Sequence, residues 1–111
     1  MSLERFETFE DFWPFYVKEH SLYITRAFHF IGTSLGLICF GLAFLAGNLW
    51  FLLGGLWISY GFAWFSHFFI EKNRPATFKY PIYSLLADFR MYYLMWRGQM
   101  EAEVNKIMNI Y

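Results

Sequence analysis

Three histidines carry most of the chemistry open to this sequence: His20, His29 and His67. A neutral imidazole is a common metal ligand and moves protons near neutral pH. His29 and His67 lie nineteen residues to either side of Asn48. If the chain turns back at Asn48 in a helical hairpin, each arm rises roughly 28 Å between tip and histidine. Both histidines then sit at one depth, close to one edge of a bilayer's hydrocarbon core. Glu71 follows His67 by four residues, a helical spacing that puts both on one face. Two histidines and a carboxylate make a facial site for non-haem Fe(II), with positions left open for O₂ and substrate. Three histidines and a water suit zinc equally well. His20 is nine residues before His29, which on a continuous helix leaves the two on opposite faces and roughly 13 Å apart along the axis. To serve one metal with His29, the chain must bend within 21–25, where Ser21 can cap a new helix. Otherwise His20 supports a ligand from behind or serves another subunit. The plain alternative for each histidine is a hydrogen bond to lipid headgroups or a helix cap at a membrane surface.

The elements that hold these residues follow from composition. The chain has 111 residues, of which 58% are hydrophobic, 25% aromatic and only 16% charged. Soluble domains run at roughly 45–50% apolar and about 25% charged. A globule this small has a large surface for its volume, and this chain lacks the polar residues to cover one. Disorder requires the opposite composition. What remains is a membrane protein or an obligate partner in a large apolar assembly, and a single membrane domain over 1–111 is the expectation taken forward. Nine basic residues balance nine acidic ones, leaving no excess to neutralise phosphates, so nucleic acid is not an expected partner. Cys39, the one cysteine, cannot form an internal disulfide.

No Asp, Glu, Lys or Arg occurs from Ala27 to Ile70. A crossing helix needs about 20 mostly apolar residues, so this stretch holds two spans, about 29–46 and 49–70. Turn residues at Ala46-Gly47-Asn48 separate them. Lys18 and Arg26 precede the first span, and Lys72, Arg74 and Lys79 follow the second, while the tip carries no basic residue. The positive-inside rule then places both termini in the cytoplasm. The acidic start does not resemble a signal peptide. Gly32, Gly36 and Gly41 would permit close helix contact, and a homodimer would thicken the wall around a site held by only two spans.

Outside the spans, interfacial helices are predicted at about 3–20 and 81–97. Phe6, Phe9, Trp13 and Tyr16 share one helix face. Asp11 is the expected cap, with Pro14 in the first turn. Pro81 suits a helix start and Gly98 a stop. Between them Ile82, Leu85, Leu86, Phe89, Tyr93 and Trp96 form a second stripe. Met100, Val104, Ile107, Met108 and Tyr111 form a third. Tyr and Trp favour the headgroup level, where the ring can be dry and its polar edge wet. The fold class expected is an all-α membrane protein: a two-span transmembrane hairpin with amphipathic interfacial helices at both ends.

Two stretches resemble a known family. EHSLYITRAFHFIGTSL carries two histidines nine residues apart, and SHFFIEKNRPATF carries a His, a Glu four residues on and a basic-Pro-Ala turn. Both look like the Mpo-like family, over roughly residues 12–98. The FKYPIYSLLADFRMYY tail resembles its short bacterial branch. Long members often carry Gln four residues before the motif histidine, where this chain has Ala63, and they usually have more membrane helices. The characterised fungal member shortens 2-hydroxy fatty acids by one carbon with iron, in the α-oxidation of phytosphingosine. The resemblance implies that His20, His29 and His67 are iron ligands and that Glu71 belongs to the site.

The function expected is an Fe(II)-dependent dioxygenase acting with O₂ on 2-hydroxy fatty acids or a related lipid. A bacterial cytoplasmic membrane is the expected location. Arg26, Lys72 and Arg74 are near enough in sequence to hold a substrate carboxylate, and Arg can do so with two parallel hydrogen bonds. The rival is a non-enzymatic small membrane protein that binds lipid or a partner through the same polar residues.

Overall fold

The computed structural model describes residues 6–109, and all their regular structure is helical. Five α-helices follow in order: α1 (Phe9–Lys18), α2 (Tyr23–Ala46), α3 (Trp50–Phe65), α4 (Pro81–Trp96) and α5 (Met100–Met108). A π-helical turn, Ser66–Glu71, continues α3, and a short 3₁₀ turn spans Ala76–Phe78. The chain forms two compact units, one of Leu22–Pro75 and one of the two flanks, Met1–Ser21 with Ala76–Tyr111.

The first unit is a helical hairpin. Gly47 ends α2 in the left-handed region (φ 62°), and the Asn48 N–H returns to the Ala43 carbonyl at 3.1 Å. Only glycine enters that conformation without a side-chain penalty. The Asn48 Oδ1 then accepts the Trp50 N–H at 3.0 Å and starts α3. The turn thus falls where its residue types place it. The arms approach closely because small residues line the seam. A Cβ on Gly32 would lie 2.8 Å from the Phe62 Cβ, and one on Gly55 would lie 2.8 Å from the Cys39 Cβ. Ser59 Oγ donates across the seam to the Gly32 carbonyl at 2.9 Å. Gly32 and Gly36 therefore serve the contact between the two arms, while Gly41 faces open space.

Of the described helices α2 is by itself long and apolar enough to cross a membrane. It begins at Tyr23, six residues before the expected span, and so takes Arg26 into its first turn. The second predicted span, 49–70, corresponds to α3 together with its π turn. Large apolar side chains cover the outside of the hairpin: Phe44, Leu45, Trp50 and Trp57 are each more than three-quarters exposed.

The second unit packs α1 against α4 and α5. Phe12, Trp13, Tyr16 and Val17 of α1 are buried with Ala87 and Met91 of α4 and Met100 and Val104 of α5. The aromatic face of α1, expected to lie against lipid, is thus turned inward. Polar links fix it there: Trp13 Nε1 donates to Glu103 Oε2 at 2.7 Å, and Tyr16 Oη donates to Asp88 Oδ1 at 2.5 Å. Arg90 pairs with Glu10 at 3.0 Å and lies over the Phe9 and Trp13 rings. Thr8, not Asp11, caps α1, its Oγ1 accepting the Asp11 N–H. Pro14 consequently sits inside the helix, where it removes one backbone hydrogen bond. The expected start near residue 3 lies outside the described residues.

The third stripe is also inward, through Met100 and Val104, with Ile107 and Met108 packed against the core; Tyr111 lies outside the described residues. The second stripe faces out: Ile82, Leu85, Leu86, Phe89, Tyr93 and Trp96 are all exposed. Pro81 opens α4 at its first position, and Gly98 (φ 68°) closes it, with the Gln99 N–H returning to the Leu94 carbonyl at 2.8 Å.

Candidate metal centre

Within the hairpin, α2 and the π turn bring His29 and His67 face to edge. Their ring centroids are 5.1 Å apart and the rings are inclined at 85°. Both are buried, as are Thr25 and Arg26 one turn earlier on α2 and Ser66 beside His67. Ser66 satisfies itself locally, donating to the Ala63 carbonyl at 2.7 Å. Two apolar helices therefore present two imidazoles to one another at one end of their seam.

The end of the π turn is built around His67. The His67 carbonyl accepts the N–H groups of both Lys72 and Asn73, the latter at 2.8 Å. The Asn73 Oδ1 lies 2.7 Å from His67 Nδ1. An amide oxygen only accepts, so Nδ1 carries the proton and Nε2 carries the lone pair. Glu71 Oε2 accepts the Leu22 N–H at 2.6 Å, at the start of α2. Lys72 and Arg74 are exposed on the segment that follows. Arg26 is buried, with its guanidinium 5.9 Å from the centre of the Tyr23 ring.

His20 stands in the other unit, just past the end of α1, and is buried. Its Nδ1 lies 2.7 Å from the Tyr16 carbonyl, and its ring stacks on the Tyr16 ring at 4.0 Å. A carbonyl also only accepts, so His20 too keeps its lone pair on Nε2. The chain leaves helical geometry over 19–22, which overlaps the expected bend at 21–25 only at Ser21 and Leu22, because α2 already begins at Tyr23. Behind His20, burial raises the Tyr16 phenol well above its ordinary range, with the Asp88 charge and hydrogen bond adding to it. Burial pushes the Asp88 carboxyl up to about 7, against the opposing pull of the Tyr16 hydrogen bond.

The donor set fits a metal. A nitrogen about 2.1 Å from the ion places two coordinating rings with their centres roughly 5 Å apart at ordinary coordination angles. The observed pair has that separation. Ligating histidines almost always give their second N–H to a carbonyl or carboxylate, as His67 and His20 both do. Sequence reasoning gives no part in the site to Asn73, Tyr16 or Asp88. Asn73 is six residues from His67, a spacing that no α-helical pattern marks as a neighbour.

A family model described as 2-hydroxy-palmitic acid dioxygenase Mpo1-like matches residues 6–100. The chain belongs to the Mpo1-like family. No curated protein and no solved structure matches it. The matched region holds every histidine, all of the Leu22–Pro75 unit and part of the other, and it ends at the first residue of α5. The family's description concerns a dioxygenase, and the paired histidines are the feature here that suits oxygen chemistry.

Proposed function

We propose that this chain is a membrane-embedded, iron-dependent oxygenase that shortens 2-hydroxy fatty acids by one carbon. The observation that carries the reading is the buried His29–His67 pair at one end of a hairpin whose outside is apolar. In this reading the hairpin crosses the bilayer twice with both termini in the cytoplasm. His29 and His67 hold the metal, and His20 supplies a third nitrogen. The helix break at 19–22 and the tied Nδ1 of His20 support that third ligand, and His20 lies within the residues that the family model matches. Zinc suits three nitrogens equally well; the family description favours iron.

Iron, when bound, supplies the redox chemistry that lets O₂ react with an organic acid. The overall conversion takes one 2-hydroxy acid and one O₂ to an acid shorter by one carbon, CO₂ and water. The chain's own residues supply position. An acyl tail is matched by the apolar hollow lined by Phe28, Ile58, Gly61, Phe62 and Phe65 on the hairpin. Its carboxylate end belongs at the interface, where Lys72 and Arg74 are exposed. Arg can hold a carboxylate with two parallel bonds, which Lys cannot reproduce.

The test measures metal and turnover together. Protein purified without oxygen and reconstituted with Fe(II) should retain iron through gel filtration. His29→Ala and His67→Ala should each lose most of it, while Lys106→Ala should not. With 2-hydroxypalmitate the loaded protein should consume O₂ and yield pentadecanoate. Full iron retention in both histidine variants, or no product from loaded protein, removes the dioxygenase reading and leaves a lipid-binding membrane protein.

A further inference from the structure

The last turn of the α3 run departs from α-helical geometry where His67 lies. The π turn over Ser66–Glu71 ends on Lys72, whose backbone is left-handed (φ 64°, ψ 42°). A residue with a side chain seldom adopts that conformation, and it persists where surrounding contacts hold it. Lys72 and Asn73 both donate backbone N–H groups to the His67 carbonyl. Because Lys72 reverses the chain, Asn73 comes back over the turn and sets its Oδ1 2.7 Å from His67 Nδ1. Asn73 therefore grips one residue at two points, main chain and ring. π turns of this kind recur at functional sites because they change which way a side chain faces.

We infer that Asn73 is a positioning residue: it holds His67 in the tautomer with the proton on Nδ1 and so makes Nε2 the donor atom. The left-handed Lys72 is the hinge that brings Asn73 into reach. For holding His67, the backbone of Lys72 matters and its side chain does not. The consequence for metal affinity rests on the reading of His67 as a ligand; the tautomer itself does not. Loss of such a supporting hydrogen bond typically costs 10–100-fold in metal affinity.

The experiment reads the two separately. In metal-free, ¹⁵N-histidine-labelled protein in detergent, the His67 ring signals, identified by their loss in His67→Gln, should report a proton on Nδ1. That measurement needs no Asn73 variant, and a proton on Nε2 overturns the inference. In folded Asn73→Leu the signals should move toward the other tautomer, and Asn73→Asp, which keeps an accepting oxygen, should restore the original pattern. Anaerobic Fe(II) titration should show 10–100-fold weaker binding for Asn73→Leu, with near-native binding for Asn73→Asp and for Lys72→Gly. An unchanged tautomer in Asn73→Leu overturns the inference, and so does a changed tautomer with unchanged affinity. If the wild-type protein binds no Fe(II), the metal reading falls, and the tautomer alone decides the role of Asn73.

Discussion

Glu71 caps the start of α2: its Oε2 accepts the Leu22 N–H at 2.6 Å, forty-nine residues away in sequence. The first N–H groups of a helix have no partner within it, and α2 has no capping side chain of its own. A carboxylate there satisfies one of them and also favours the positive end of the helix dipole. The link ties the end of the π turn to the beginning of the long helix that bears His29. It gives Glu71 a structural duty beside the site role that its spacing from His67 suggests.

Glu71→Ala should accordingly destabilise the hairpin by about 1 kcal/mol, the usual cost of a lost cap. Glu71→Gln should recover part of this, because the amide oxygen still accepts but carries no charge. Thermal unfolding in detergent checks the order, wild type above Gln above Ala. Iron content should fall less than in His67→Ala. Equal melting temperatures for all three proteins would return Glu71 to the list of catalytic candidates.

The hairpin seam makes a second distinction. Replacing Gly by Ala inside a helix ordinarily stabilises it by roughly 0.5–1 kcal/mol. Gly41 faces open space, so Gly41→Ala should show that gain. At Gly32 the added methyl would lie 2.8 Å from the Phe62 Cβ and 3.1 Å from the Ser59 carbonyl. Forced overpacking costs about 1–3 kcal/mol, so Gly32→Ala should lower stability despite its better helix propensity. Opposite signs in the two unfolding measurements support the seam; matching signs contradict it.

The meeting of His29 and His67 was legible because helix rise per residue is constant. Counting equal distances from Asn48 was enough once Gly47-Asn48 was recognised as the turn. The same arithmetic failed past Ser66, because it assumed α-helical phase through residues that form a π turn. That phase leaves Asn73, which reaches the His67 ring, without a mark in the sequence. Periodicity also identified the faces of α1, α4 and α5 without saying what covers each. The α1 and α5 stripes meet one another, and only the α4 stripe remains outward. Nothing in the pattern of Phe9, Trp13 and Tyr16 distinguishes a protein core from a lipid surface.

Asp88 sets a pH dependence. Its carboxyl is pushed up to about 7 by burial in the folded protein, against about 3.9 in an unfolded chain. Between those values the folded state holds a proton that the unfolded state has lost. Stability therefore falls as pH rises through this window. The contribution is complete below pH 4 and gone above about 7. Asp88→Asn keeps an acceptor for the Tyr16 hydroxyl and cannot ionise, so it should flatten the decline. Denaturant unfolding in detergent at pH 4, 5, 6, 7 and 8 measures the slope. A decline of the same size in Asp88→Asn would assign it to other groups.

The outward stripe of α4 offers the last expectation, which concerns the membrane. Ile82, Leu85, Leu86, Phe89, Tyr93 and Trp96 recur at helical spacing and are exposed together, while Ser84, Ala87 and Met91 face the core. Arg97 bonds back to Tyr93 Oη at 3.4 Å, so the helix ends on an aromatic ring with a cation at its polar edge. Aromatic rings of this type favour the headgroup level, and a helix with one apolar face can lie in the plane of the interface. Trp96 is 67% exposed and Trp13 only 4%. In vesicles of brominated phosphatidylcholine, a variant retaining Trp96 as its single tryptophan should be strongly quenched, and one retaining only Trp13 much less. Introducing charge with Phe89→Asp should reduce the quenching of Trp96 by lifting that face from the lipid. If Trp96 is instead quenched by aqueous iodide and not by bromine, α4 faces water, and the interfacial part of the membrane reading is lost while the hairpin stands.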